Sequence, residues 1–359
     1  MRMRGLVLSG GTGSRLRPLT FTSAKQLIPV ANKPVLFYVL EDLARAGVEE
    51  IGIVIAPQTG DEIREAVGDG TRFGAKVTYI MQTEPNGLAH AVLTAEEYLR
   101  GEPFCMYLGD NLLLEGMGTL VEEFERDHPN AMILLAKVDE PQQFGVAELD
   151  GSGGVVRLVE KPKDPPSDLA LVGVYLFDEN VFDAARSIKP SWRGELEITE
   201  AIQLLIERGM DVRSQVVQGY WKDLGKVEDL LAGNSQVLDG IEPHVDGEVD
   251  DESVVQGRVI IEADAKVVRS RIRGPAVVGR GAQITDSYIG PYTSVGDECV
   301  VESSEVEHSI LLPEARLVGV RRVADSLLGR GAEVVRGTGS PVAHRLVIGD
   351  RSSVSVVQP

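Results

Sequence analysis

Along this chain the apolar positions change their period near residue 250. Up to about residue 230, short apolar runs alternate with stretches of helical spacing, as an α/β fold with a mostly parallel sheet requires. Gly5–Leu8, Ile51–Ile55, Val77–Ile80 and Phe104–Leu108 read as strands, and further strands are expected over Ala131–Val138, Gly145–Leu149 and Leu171–Phe177. Helical spacing predicts helices over Val35–Ala46, closed by Gly47, over Gly87–Leu99 and over Ile198–Arg208.

Beyond residue 250 that alternation stops. Ile272, Val278 and Ile284 stand six apart, and after one shorter step Ile289, Val295 and Val301 do so again. A longer repeat overlies them: Ser270-Arg-Ile, Ser287-Tyr-Ile, Ser309-Ile-Leu and Ser326-Leu-Leu recur every 17 to 22 residues. A short fixed period means stacked units. Each hexad makes one flat face with its aliphatic residue turned into a narrow core, and three faces make a coil of about 18 residues. That is a parallel β-helix; an antiparallel sandwich of short strands has no reason to keep a period of six. Residues 232–252 are polar, Pro-containing and acidic, and read as a linker. The expected organisation is therefore a catalytic-sized domain over 1–231, the linker, and the repeat domain over 253–359.

Composition narrows the classes. With 43% hydrophobic and 25% charged residues, the 359-residue chain is that of a globular protein of two domains. No apolar stretch reaches the ~18 residues of a membrane span, and the N-terminus enters a strand directly, without a signal peptide. The two cysteines, Cys105 and Cys299, and the five histidines lack metal-ligand spacing. A cytoplasmic, reduced protein without structural zinc is expected. The net charge of −19 argues against nucleic-acid binding, which needs a broad basic surface. A local cationic patch can still hold a nucleotide.

Such a patch stands at the start. No Asp or Glu precedes Glu41, yet residues 8–34 carry Arg15, Arg17, Lys25 and Lys33 around Gly10, Gly11 and Gly13. The loop is neither a dinucleotide fingerprint, because Leu16 stands at its third glycine position, nor a Walker A loop. Glycines let backbone N–H groups approach phosphate, Arg15 can fork onto its oxygens and Lys25 adds a point charge. Glycines alone would serve a tight turn equally well; the clustered cations favour an anion.

Gly10-Gly-Thr-Gly-Ser-Arg-Leu, followed by Lys25-Gln-Leu-Ile-Pro-Val-Ala-Asn-Lys-Pro, resembles the signature of sugar-phosphate nucleotidylyltransferases, most closely the long glucose-1-phosphate thymidylyltransferases. Gln82-Thr-Glu-Pro-Asn-Gly87, Leu108-Gly-Asp-Asn111, Glu160-Lys-Pro162 and Trp221-Lys-Asp-Leu-Gly225 follow in the family's order, so the resemblance covers about residues 3–230. His90 departs from it, since thymidylyltransferases often have Gln there. The resemblance implies a Rossmann-like, mixed and mostly parallel sheet, then a left-handed β-helix. It implies transfer of a thymidylyl group from dTTP to glucose 1-phosphate, with release of pyrophosphate and Mg²⁺ as cofactor, for deoxysugar biosynthesis.

The residue types suit that chemistry, which needs positioning and charge neutralisation more than covalent catalysis. Asp110 and Asp223 would hold Mg²⁺ through hard carboxylate oxygens. Arg15 and Lys25 would take the α-phosphate and leaving pyrophosphate. Leu8, Gly10, Gly11, Thr12, Gly13, Gln82 and Gly87 are implied for the nucleotide, Gln82 because its amide offers the donor and acceptor that a pyrimidine edge requires. Gly145, Glu160, Lys161 and Val172 are implied for the sugar phosphate. Trp221 reads as packing, and His90 has no assigned role.

Three alternatives stay open: a UTP-dependent uridylyltransferase; an acyltransferase using His308 or His344 in the repeat domain; and a non-catalytic regulator. Against the last stand the intact Arg15, Lys25, Asp110 and Asp223. The repeat domain is expected to mediate homo-oligomerisation, with no membrane or nucleic-acid partner.

Overall fold

In a computed structural model the described residues are 3–11, 13–21 and 23–337, with 352 and 354 beyond them. Thr12 and His344 lie outside the described residues. The strands up to residue 223 are β1 (Arg4–Ser9), β2 (Pro29–Val30), β3 (Lys33–Pro34), β4 (Glu50–Ile55), β5 (Lys76–Met81), β6 (Phe104–Leu108) and β7 (Asn111–Leu113). They continue as β8 (Ala131–Lys137), β9 (Gly145–Leu149), β10 (Val155–Glu160), β11 (Leu169–Phe177), β12 (Val212–Val216) and β13 (Trp221–Asp223). Eight α-helices are described: α1 (Val35–Arg45), α2 (Gly60–Val67), α3 (Leu88–Thr94), α4 (Glu96–Leu99), α5 (Gly118–Asp127), α6 (Asn180–Ser187), α7 (Ile198–Glu207) and α8 (Val227–Asp239).

The chain divides into two compact units, Met1–Thr12 with Val35–Asp223 and Gly13–Pro34 with Leu224–Pro359. Sequence periodicity places the first break near residue 231, but it cannot show that segment 13–34 leaves one unit for the other.

In the first unit the sheet order is β10-β9-β11-β6-β1-β4-β5, with β8 pairing β11 and β12. β1 runs parallel to both β4 and β6, and β4 parallel to β5. Such strands are covered on both faces, which is why β4 and β6 read as almost unbroken apolar runs. β11 lies antiparallel on β6. Leu6, Val54, Met106, Ile133 and Tyr175 are buried beside Phe182 of α6 and Ile202 and Leu205 of α7. Phe104 packs on Phe177 and Phe182 at 5.6 and 5.8 Å between centroids, a distance typical of tilted and offset aromatic pairs. Because the core strands are parallel, their C-terminal ends share one edge, where α/β sheets open their ligand crevices. Leu8 stands opposite Leu108 and Val54 there.

In the second unit, short parallel strands from His244–Val245 to Glu333–Val335 stack into sheets of six, six and five, the three faces of a left-handed β-helix. Strand partners stand 16 to 18 residues apart, as in His244 with Ile260 and Glu248 with Lys266. Ile272, Val278, Ile284, Ile289, Val295 and Val301 are all fully buried, two on each face. The serine triplets, however, belong to two faces. Ser253, Ser270, Ser287 and Ser304 form one ladder, in which each hydroxyl accepts the next serine's N–H at 2.9–3.2 Å. Ser309 and Ser326 form another, at 3.1 Å. The 22-residue step from Ser287 to Ser309 is a change of face; the same hydroxyl-to-backbone bond satisfies either corner.

The stretch 232–252, read as a linker, contains regular structure. α8 runs through it to Asp239, burying Leu230, Leu231, Asn234 and Leu238, and the first coil begins at His244.

Candidate active site

In the first unit the loop after β1 leaves the sheet at Gly10, half-buried, and Gly11, exposed. Leu8 is buried at the end of the strand. Gln82 follows β5 and is held by its own N–H on the carbonyl of Ile55 at 2.9 Å. Its side-chain oxygen faces Gly10, where an added Cβ would come within 3.2 Å. Its Nε2 lies 2.9 Å from Nδ1 of His90 on α3. With Nδ1 accepting, the amide nitrogen is occupied and the carbonyl oxygen is the group turned to the glycine loop. His90, given no role by its sequence, therefore orients Gln82. Its place one helical turn into α3 was the available signal.

Gly87 caps α3 with φ +103°, a region costly for any other residue. An added Cβ would stand 2.4 Å from the Leu196 carbonyl oxygen and 2.7 Å from its nitrogen. Leu196 N–H donates to Asn86 O at 2.8 Å, and Ala89 N–H to Leu196 O at 3.0 Å. The glycine is thus where two backbone segments close on each other.

Asp110 sits in the turn between β6 and β7 and is buried. β7 pairs antiparallel with β13, placing Asp223 opposite Asn111, so the ladder sets Asp223 across from the residue that directly follows Asp110. Asn111 fixes this corner. Its Oδ1 accepts from the Trp221 indole at 2.7 Å and from Gly173 N–H at 3.3 Å, while its Nδ2 donates to Asp110 Oδ1 at 3.3 Å. Trp221 also meets Phe144 edge-on, at 5.8 Å between centroids. It braces the corner. Two carboxylates and hard oxygen donors fit a magnesium ion that keeps waters and substrate phosphates as its other ligands. Among the described residues no cluster of three or more His, Cys, Asp or Glu has metal-binding geometry.

Glu160 and Gly145 are partners in the β10–β9 ladder. Glu160 accepts from Thr199 Oγ1 at 2.7 Å and from Arg193 at 3.4 Å, with Lys161 Nζ 3.7 Å away. At Gly145 a Cβ would stand 2.9 Å from Thr199 Oγ1 and 3.2 Å from Glu160 Oε2; the missing side chain leaves that carboxylate room. Lys161 has φ +41° and its N–H bonds the Phe144 carbonyl at 3.0 Å. Arg193 also pairs Glu195 at 2.7 Å and Glu197 at 3.5 Å. Burial raises the Glu197 carboxyl above its ordinary value, with Ser191 and Arg193 opposing the shift. Arg193 and Thr199 were invisible to motif reasoning because they act through Glu160. Val172 is fully buried in β11 and presents no surface of its own to a ligand.

In the second unit Gly13 takes φ +60°. A Cβ there would fall 3.1 Å from Lys25 Cβ and 2.9 Å from Thr20 Cγ2, while Thr20 Oγ1 donates to the Gly13 carbonyl at 2.7 Å. The glycine thereby admits the Lys25 stem. Arg15 is exposed, and a Cβ on Gly225 would fall 2.6 Å from its Nη2. The last glycine of the Trp221–Gly225 motif is thus the floor beneath that guanidinium.

A family model described as nucleotidyl transferase matches residues 4–240. The chain is 54% identical over 356 residues to a glucose-1-phosphate thymidylyltransferase of Streptomyces antibioticus, covering 99% of both chains. It is 46% identical over 357 residues to the low-salt glycan biosynthesis nucleotidyltransferase Agl11 of Haloferax volcanii, covering 99% of this chain and all of the other. A Bacillus anthracis structure described as a glucose-1-phosphate thymidylyltransferase, solved with sucrose, superposes with a TM-score of 0.63 at 33% identity, over 67% of this chain and 97% of its own. No described helix is long and apolar enough to cross a membrane.

Proposed function

Because this chain belongs to the nucleotidyl transferase family, we propose that it transfers a thymidylyl group from dTTP to glucose 1-phosphate, giving dTDP-glucose and pyrophosphate. The observation that carries the reading is the β7–β13 ladder, which puts Asp223 opposite Asn111, next in sequence to Asp110 in the turn that follows the parallel strand β6. The full-length likeness to the Streptomyces antibioticus enzyme supports the choice of substrates.

In the reaction, a phosphate oxygen of the sugar attacks the α-phosphorus in line. A new P–O bond forms as the bond to the bridging oxygen breaks, and the electron pair leaves with pyrophosphate. Asp110 and Asp223 would hold the magnesium ion, which when bound supplies charge neutralisation to the phosphates. Arg15 and Lys25 neutralise the triphosphate, with the Gly10–Gly13 backbone close to it. Gln82 offers its oxygen to the ring N–H of the pyrimidine, and Gly87 lets the backbone approach the base. Lys161 offers a cation to the sugar phosphate, and Arg193 and Thr199 hold the neighbouring Glu160, an acceptor for the sugar hydroxyls. A homo-oligomer built through the β-helix belongs to the same reading.

Comparing kcat/KM for dTTP and UTP with glucose 1-phosphate tests the base assignment. Preference for dTTP is expected, and a preference for UTP of about tenfold or more contradicts it. The role of His90 predicts a further result. His90→Ala frees the Gln82 amide to rotate, and the KM for dTTP is expected to rise about fivefold, the worth of one hydrogen bond. The KM for glucose 1-phosphate should stay within twofold. Equal changes in both constants would contradict an orienting role.

A further inference from the structure

The segment bearing Arg15 and Lys25 is tied to the β-helix by its tip. After the 3-10 turn Lys25–Leu27 the chain enters the hairpin β2–β3, with Val30 opposite Lys33. Ala31 and Asn32 turn it with φ +47° and +61°, the left-handed pair that suits a two-residue hairpin. At this tip the Ala31 N–H donates to Asn234 Oδ1 at 2.8 Å, and Asn32 Nδ2 donates to the Val295 carbonyl at 2.7 Å. Val295 is a fully buried core residue of a β-helix coil.

Asn234 of α8 is itself fully buried. Its Oδ1 also accepts from Ser294 Oγ at 2.6 Å, and its Nδ2 donates to the Tyr292 carbonyl at 3.1 Å. One amide therefore joins the hairpin, the helix and the coil strand Thr293–Val295. A buried amide left with unmade bonds is costly, so these partners hold one another in a single arrangement. Farther along α8, Asp239 accepts from Arg258 at 3.0 Å and from the Tyr292 hydroxyl at 3.3 Å. Between tip and cation the segment is anchored by Ala24, Gln26, Ile28 and Val30, all buried.

We infer that the β-helix is the mount of the Arg15–Lys25 segment, with Asn32 and Asn234 as positioning residues for thymidylyl transfer. A rigid stack of coils fixes the hairpin tip, and the tip fixes the short path back to Lys25 and the Gly13 turn. The repeat domain then serves the reaction itself as well as assembly. The inference rests on the proposed assignment of Arg15 and Lys25 to the triphosphate.

The full-length Asn32→Gly variant tests it. Glycine adopts the left-handed turn freely, so the change removes the bond to Val295 and little else. Expected are a KM for dTTP raised about fivefold and a lowered kcat, as for loss of one hydrogen bond that orders a reactive loop. The KM for glucose 1-phosphate should stay within twofold, and the melting temperature within about 3 °C. Asn234→Ser, which removes the whole amide, should give the larger effect on the same constant. Wild-type constants in Asn32→Gly, or a lowered melting temperature with unchanged turnover, would overturn the inference and leave the functional reading standing. Absence of turnover in the wild-type protein with dTTP and glucose 1-phosphate would overturn both.

Discussion

Asp110→Asn is expected to keep the fold and lose about a thousandfold in kcat. Asparagine has the size of aspartate and can still accept from Asn111 Nδ2, which lies 3.3 Å from Asp110 Oδ1. The Trp221–Asn111–Gly173 bonds do not involve the substituted group and should survive. What disappears is one of two anionic oxygen ligands for a hard divalent cation. Loss of a charge-stabilising group of this kind costs about 3–4 kcal/mol of transition-state stabilisation, or two to three orders of magnitude in rate. Saturating dTTP should not restore the rate, whereas raised magnesium should recover part of it. Asp223→Asn should behave alike, since Asp223 stands across the ladder from Asn111. A kcat within tenfold of wild type for Asp110→Asn would remove this residue from the mechanism.

The second large effect is expected at Gly87. Alanine there must take φ +103° and bring its Cβ to 2.4 Å from a backbone oxygen and 2.7 Å from a backbone nitrogen. Neither atom can rotate away. Segments 86–89 and 195–197 must separate, breaking the Leu196 bonds at 2.8 and 3.0 Å. Strain at the left-handed position adds to the overlap, for about 3 kcal/mol or more in all. The unit should melt about 6–12 °C lower. Gly47→Ala is the matched control, because Gly47 has φ +83° but nothing within 4 Å of an added Cβ. It should cost only about 1 kcal/mol. Equal melting temperatures for the two variants would show that the Leu196 approach does not constrain the loop. The Gly87→Ala variant should also weaken both substrates, because Gln82 lies on one side of this junction and Arg193 and Thr199 on the other.

How much was legible beforehand follows from what each residue touches. The runs at 51–55 and 104–108 announced the parallel core because strands covered on both faces must be apolar throughout. The hexads announced the β-helix because each coil turns one aliphatic residue inward from every face. Asp110 and Asp223 were legible as motif positions, but their adjacency comes from the β7–β13 pairing. α8 was hidden because Gly233, Asn234 and Ser235 interrupt it with poor helix formers. Its stability comes instead from burying Leu230, Leu231 and Leu238 and from the bonds of Asn234. The serine triplets looked like one repeat because identical corner chemistry recurs on two faces. Arg193 and Asn32 act on neighbours distant in sequence, a pairing that a linear pattern does not carry, whereas His90 meets Gln82 only eight residues back through the turn that starts α3.

The measurement that tests the account most directly is pyrophosphate release from dTTP by the full chain, made with and without glucose 1-phosphate, and before and after removal of divalent cations. The account predicts release that requires both the sugar phosphate and the metal, with dTDP-glucose formed in equal amount. Release that is independent of glucose 1-phosphate, or none when dTTP, glucose 1-phosphate and magnesium are all present, would contradict it.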